Sequence, residues 1–84
     1  MTAKEMFEEL GYKFSYNQDK TVMQYEKKER QWREEGQINI NFDLEEKTID
    51  TIFRGKISNN LPPILIPEEI EAMNIQCKEL GWLK

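Results

Sequence analysis

The apolar positions of this chain run first at helical spacing, then alternate with polar ones, then return to helical spacing. Ala3, Met6, Phe7 and Leu10 stand at i, i+3, i+4 and i+7, one stripe of a short amphipathic helix over Thr2 to Leu10. Thr2 can cap its start, with Glu5 as the capping-box partner. Gly11 supplies the left-handed residue that ends it, and Tyr12 takes the hydrophobic capping position. From there the period is two. Tyr12, Phe14 and Tyr16 alternate with Lys13 and Ser15 in a first strand, and Asn17 to Lys20 is a polar turn. A second strand is expected from Thr21 to about Arg33, apolar at Val22, Met23 and Tyr25. Its far end, Glu26 to Glu35, is almost wholly charged and reads as a solvent-exposed hairpin closed by Gly36.

The third strand is the clearest, because Ile38, Ile40, Phe42 and Leu44 alternate with Asn39, Asn41 and Asp43. After the turn Glu45-Glu46-Lys47, a fourth strand spans Thr48 to Arg54, with Ile49, Thr51 and Phe53 on one side and Ile52 on the other. Gly55 to Pro63 is irregular, marked by Asn59-Asn60 and Pro62-Pro63. Pro67 suits the first turn of a closing helix, and Glu68, Glu69 and Glu71 favour its positive dipole end. Ile70, Met73, Cys77 and Leu80 are its expected buried stripe, with Ile66 leading in, Gly81 stopping it and Trp82 capping it. Glu9-Leu10-Gly11-Tyr12 and Glu79-Leu80-Gly81-Trp82 are nearly one text. Two uses of one stop signal explain it better than a duplication, since the flanks do not match.

The order is therefore α-β-β-β-β-α. Strands joined by short turns pair as an antiparallel meander, and two amphipathic helices can cover one of its faces. The expected fold class is α+β, a two-layer four-stranded antiparallel meander flanked by an N-terminal and a C-terminal helix. At 84 residues the chain suffices for one domain spanning residues 1–84. Which sheet face the helices cover is not readable from the pattern.

Composition narrows the chemistry. The net charge of −4, from 12 basic and 16 acidic residues, disfavours non-specific attachment to nucleic acid or anionic lipid, though not a local basic patch. Cys77 is the lone cysteine, which excludes an intrachain disulfide. The start, Met1-Thr2-Ala3-Lys4-Glu5, has no apolar run of signal-peptide length. Leu61 to Pro67 falls far short of the roughly 20 residues a spanning helix needs. A cytoplasmic location and no membrane partner are expected by elimination.

No catalytic group is conspicuous. Histidine is absent, and Cys77 sits on an apolar stripe, where a thiol behaves as a small hydrophobe. Asp43, Glu45 and Glu46 form an acidic turn, but their spacing matches no calcium loop and Lys47 follows at once. The four glycines are isolated, so no phosphate-cradling loop is present. The reading is no enzyme, no metal and no cofactor. The strongest candidate contact surface is Lys27-Lys28-Glu29-Arg30-Gln31-Trp32-Arg33. There Lys27, Lys28, Arg30 and Arg33 surround Trp32, and cations beside an aromatic can grip phosphates and stack on bases. Glu26, Glu29, Glu34 and Glu35 cancel those charges, so a solvated mixed-charge arm is the plain alternative.

Three segments carry a family resemblance: Lys4-Glu5-Met6-Phe7-Glu8-Glu9-Leu10-Gly11-Tyr12, Ile40-Asn41-Phe42-Asp43-Leu44, and Asn74-Ile75-Gln76-Cys77-Lys78-Glu79-Leu80-Gly81-Trp82. Through them the chain resembles small uncharacterised proteins of prophages and integrative elements in low-GC Gram-positive bacteria. The resemblance implies a bacterial host cytoplasm and an accessory role in a phage or mobile element. It implies no activity and no site residue, and Lys27 to Arg33 lies outside it. The function expected is a non-catalytic module that binds a protein partner or forms a homodimer. Nucleic-acid binding through Lys27 to Arg33 is the alternative.

Overall fold

The computed structural model describes residues 1–83. Helix α1 (Ala3–Glu9) leads into strands β1 (Lys13–Tyr16), β2 (Val22–Lys28), β3 (Gly36–Asp43) and β4 (Thr48–Gly55), and helix α2 (Pro67–Glu79) closes the chain. The strands form one antiparallel sheet in the order β1-β2-β3-β4, so the α+β meander expected from the pattern is what forms. Register places Phe14 opposite Tyr25, Tyr25 opposite Ile40, and Ile40 opposite Thr51; Met23 faces Phe42, and Ile38 faces Phe53. These residues share the face that the helices cover. Phe7 of α1 stacks on Tyr25 with ring centroids 4.1 Å apart, and Ala72 and Cys77 of α2 join the same core. No helix among the described residues is long and apolar enough to cross a membrane.

Both helices end as their sequences predict. Tyr12 N–H reaches Phe7 O at 3.0 Å and Gly11 N–H reaches Glu8 O at 3.0 Å. Trp82 N–H to Cys77 O at 2.9 Å and Gly81 N–H to Lys78 O at 3.0 Å repeat that geometry. Gly11 (φ 96°) and Gly81 (φ 77°) take the left-handed turn each cap requires. The Thr2–Glu5 capping box also forms, with bonds of 3.1 and 2.8 Å. Glu79 then accepts from Ala3 N–H at 2.9 Å, tying the start of α1 to the end of α2.

Two expectations are corrected. The second strand stops at Lys28 instead of continuing to about Arg33. Beyond it, only Gln31 and Glu34 pair, across a separate tip. The second correction concerns α2, whose buried face is Glu69, Ala72, Gln76 and Cys77, with Met73 and Leu80 half-buried and Ile70 turned to solvent. The helix is rotated from its hydrophobic stripe because the core contains hydroxyls. Tyr25 is fully buried and its hydroxyl donates to Gln76 Oε1 at 2.6 Å. Tyr12 is 3 % exposed and its hydroxyl donates to Glu69, itself 1 % exposed. A buried donor without an acceptor costs about 1–3 kcal/mol, comparable to burying one isoleucine side chain, so polar partners compete with Ile70 for the inward face. Burial and, for Tyr12, the adjoining Glu69 carboxylate push both phenols well above their ordinary range, so both stay protonated donors.

The Tyr25–Gln76 bond gives a direct test. Tyr25→Phe is expected to destabilise the fold by about 1–2 kcal/mol in urea unfolding, because Gln76 loses its donor in a dry site. Adding Gln76→Leu should recover most of that loss. Additive penalties in the double variant would show that the bond does not set the orientation of α2.

Candidate functional site: the hairpin tip and the open sheet face

The β2–β3 hairpin continues past the sheet as a narrow tip. Gln31 N–H bonds Glu34 O at 3.1 Å and Glu34 N–H bonds Gln31 O at 3.0 Å, enclosing Trp32 and Arg33 in a two-residue turn. Trp32 (φ 54°) and Arg33 (φ 62°) both lie in the left-handed region, as a type I′ turn demands. Such turns favour Asn-Gly, because an L side chain with a Cβ pays on the order of 1 kcal/mol there. Lys20, Lys47 and Asn60 also have positive φ, but each stands alone.

The tip is strapped to the loop between β4 and α2 and does not stand free. Gln31 is 7 % exposed; its amide nitrogen donates to Ile64 O at 2.8 Å and to Glu29 Oε2 at 2.6 Å, and its oxygen accepts from Ile64 N–H at 2.8 Å. Glu34 Oε1 accepts from Ser58 N–H at 2.9 Å and Ile57 N–H at 3.1 Å. Gly55 permits this approach, since a Cβ there would lie 1.6 Å from Glu34 Oε1. Trp32 donates its indole N–H to Pro62 O at 2.9 Å yet keeps 49 % of its surface exposed. Further along, Leu61 and Phe53 exchange backbone bonds of 2.8 Å, so the loop also guards part of the β4 edge.

The five arm residues expected as a contact surface point to different parts of the molecule. Lys27 turns to the helix-covered face, where Nζ lies 3.1 Å from Glu29, 3.4 Å from Glu69 and 4.7 Å from the Tyr12 ring centroid. It is a structural cation that helps neutralise the buried Glu69. Lys28 points to the opposite, helix-free face. Arg30 stays exposed, 3.8 Å from Glu35 and 3.4 Å from Arg33 O. Only Trp32 and Arg33 share the tip. Strand alternation splits Lys27 from Lys28, and this much the sequence did carry, since adjacent strand residues point to opposite faces.

The helix-free face is mainly polar, with Val22 and Ile52 as its apolar strand residues. Gln24, Asn39 and Asn41 lie along its middle, with Lys28, Gln37 and Arg54 in register at one end and Asp43 and Asp50 toward the other. Arg54 and Lys56 lie outside the charged arm of Lys27 to Arg33. Two neighbouring recesses, of about 270 and 400 Å³, open beside the Lys28 end of this face. The smaller is lined by Lys13, Glu26 and Lys27, the larger by Glu35, Arg54 and Lys56, and both by Lys28 and Gln37. At the acidic end, Asp43 Oδ1 accepts from the N–H groups of Glu45 and Glu46 at 3.0 Å each, which is turn chemistry. Among the described residues no three acidic or cysteine side chains converge as a metal site. Cys77 is buried, and burial raises its thiol above the ordinary range, the opposite of a poised nucleophile.

Two outcomes test this geometry. Arg33→Gly is expected to raise stability by about 1 kcal/mol in urea unfolding, because glycine relieves the left-handed position and Arg33 contributes only a carbonyl contact. A loss of stability would show that Arg33 holds the fold. The Glu34 carboxyl is lowered from its ordinary 4.5, chiefly by the Ser58 N–H and further by the Ile57 N–H, against the opposing effect of burial. Its contribution is therefore complete above about 4.5 and is lost as pH falls through the lower folded value. Glu34→Gln should flatten that acid limb of the stability curve; an unchanged limb would place the acid sensitivity elsewhere.

The chain matches no protein-family model, and neither a curated protein nor a solved structure shows significant similarity to it.

Proposed function

We propose that this protein is a non-catalytic protein-binding module whose contact surface is the hairpin tip at Trp32 and Arg33. The observation that supports the reading most is the placement of Trp32. It is held half-exposed in a left-handed turn that glycine or asparagine would occupy at lower cost. Strain retained where a better-fitting residue exists is a mark of function over fold. Large aromatics and arginine are the residues that most often anchor interfaces.

The surroundings support it further. Pro62 and Ile64 are exposed beside the tip, and Ile64 keeps 53 % of its surface in solvent. An apolar patch of Trp32, Pro62 and Ile64 thus carries one unpaired guanidinium, Arg33, at its rim. The bonds from Trp32 to Pro62 and from Gln31 to Ile64 fix the patch before any partner arrives, so little conformational entropy is lost on binding. A second copy of the chain is one partner within this class. The accessory role in a mobile element belongs to the same proposal and rests on the resemblance of the segments Lys4 to Tyr12, Ile40 to Leu44 and Asn74 to Trp82.

A photo-crosslinking residue at position 33, introduced in cells that make the protein, is expected to give a discrete protein adduct. Trp32→Ala should abolish it, and the same probe at Gln18, in the β1–β2 turn, should give none. Equal adducts from both positions, or none from 33, would count against the tip. Light scattering separates the partner types, since a homodimer predicts twice the monomer mass of 10.1 kDa.

A further inference from the structure

Beyond the tip, Lys13, Lys28, Arg54 and Lys56 make no ion pair among the described residues. We propose that the helix-free face of the sheet binds the phosphodiester backbone of single-stranded nucleic acid along a seam of Lys13, Lys28, Arg54 and Lys56. The seam shares neither Trp32 nor Arg33 with the protein-contact surface, so the two readings stand or fall separately.

The first argument is charge segregation. The chain carries four more acidic than basic side chains. Yet among the described residues no carboxylate lies within 4.0 Å of Lys13, Lys28, Arg54 or Lys56, whereas Lys27 has two such partners and Arg30 has one. Two carboxylates line the recesses with these cations: Glu26 accepts from Gln37 Nε2 at 3.1 Å, and Glu35 faces Arg30 at 3.8 Å. The acidic residues of this face, Asp43 and Asp50, sit toward the opposite end of the strands. Cations gathered in this way repel one another, and a polyanion laid between them relieves the repulsion.

The second argument is shape. The recesses of about 270 and 400 Å³ are neighbours that share Lys28 and Gln37, with Lys13 lining one and Arg54 and Lys56 the other. Lys28, Gln37 and Arg54 lie in register across three neighbouring strands. At ~4.8 Å between strands, the Cα atoms of Lys28 and Arg54 are about 10 Å apart, and their long side chains can reach separate anionic groups. The linings draw on residues of all four strands or their ends, so the two recesses lie side by side across the strands. An acidic peptide would instead lie along a sheet edge, where its backbone is satisfied. Lysine ammoniums suit phosphate oxygens as point charges, and the arginine can bond one in bidentate fashion. Side-chain amides of Gln24, Gln37 and Asn39 line the same face and offer donors and acceptors to sugars or base edges. No aromatic ring stands among the strand residues of this face, so bases have nothing to stack on. Binding is then electrostatic, sequence-tolerant and strongly salt-dependent.

The test is fluorescence anisotropy with a fluorescein-labelled oligothymidine of about twenty nucleotides. Three or four phosphate contacts predict a roughly 20- to 50-fold loss of affinity between about 50 and 200 mM salt. Lys28→Gln combined with Arg54→Gln should weaken binding by about tenfold and roughly halve the salt slope. Both residues are exposed and unpaired, so an unchanged urea midpoint is expected to confirm folding; Lys56→Gln alone, with a smaller loss, is the second variant. Trp32→Ala should leave oligothymidine binding within about twofold. The proposal is overturned if affinity is insensitive to the seam variants. It is equally overturned if polyglutamate of the same length competes as well as the oligonucleotide, or if a duplex binds more tightly than the single strand.

Discussion

Two tyrosine hydroxyls inside an otherwise apolar core set the terms for the rest of this small fold. Tyr12 follows α1 and Tyr25 lies in β2, and both rings are needed to fill the space between sheet and helices. Their hydroxyls must bond to something, because no solvent reaches them. Glu69 and Gln76, seven residues apart on α2, supply the acceptors, so α2 can dock in one rotation only. A purely apolar helix face could slide or turn with little penalty. Hydrogen bonds at two turns' separation remove that freedom.

The buried Glu69 carboxylate then constrains its neighbourhood. Its second oxygen accepts from Ile66 N–H at 2.8 Å, satisfying an orphan donor at the start of α2. Its charge draws Lys27 across the Tyr12 ring, and Lys27 in turn meets Glu29 at the base of the hairpin tip. Glu29 bonds Gln31, and Gln31 clamps the backbone at Ile64. One polar chain therefore runs from the helix, under the hairpin, to the loop that returns to the helix. It fixes the tip as part of the fold, and the hairpin could not present Trp32 rigidly without it.

The charged arm illustrates what local pattern conveys and what it hides. In sequence, Lys27 to Arg33 is a mixed-charge stretch around one tryptophan, and it reads as a solvated hairpin. Folding sorts it by partner. Lys27 and Gln31 go inward to Glu69 and Ile64, Lys28 goes to the open face beside Arg54, and Trp32 stays half-exposed at the tip. Lys28 and Arg54 stand twenty-six positions apart, so only strand pairing through Gln37 makes them neighbours.

The sequence by itself determined the elements, their order and the stops of both helices. Local interactions decide those: the 3.6- and 2-residue periods, the Thr2 capping box, and the two Gly-aromatic stops at Gly11 and Gly81. Alternation also assigned Ile38, Ile40, Phe42 and Phe53 to one buried face. Only the tertiary structure decided the rotation of α2, which turned Ile70 to solvent and brought Glu69, Ala72 and Gln76 inward beside Cys77. It alone likewise strapped Gln31, Trp32 and Glu34 to the β4–α2 loop and gathered the cations of the open face. The physical reason is range. Periodicity records which side of an element meets water, whereas a buried polar atom is settled by a single partner that can lie anywhere in the chain, as Gln76 lies fifty-one residues from Tyr25.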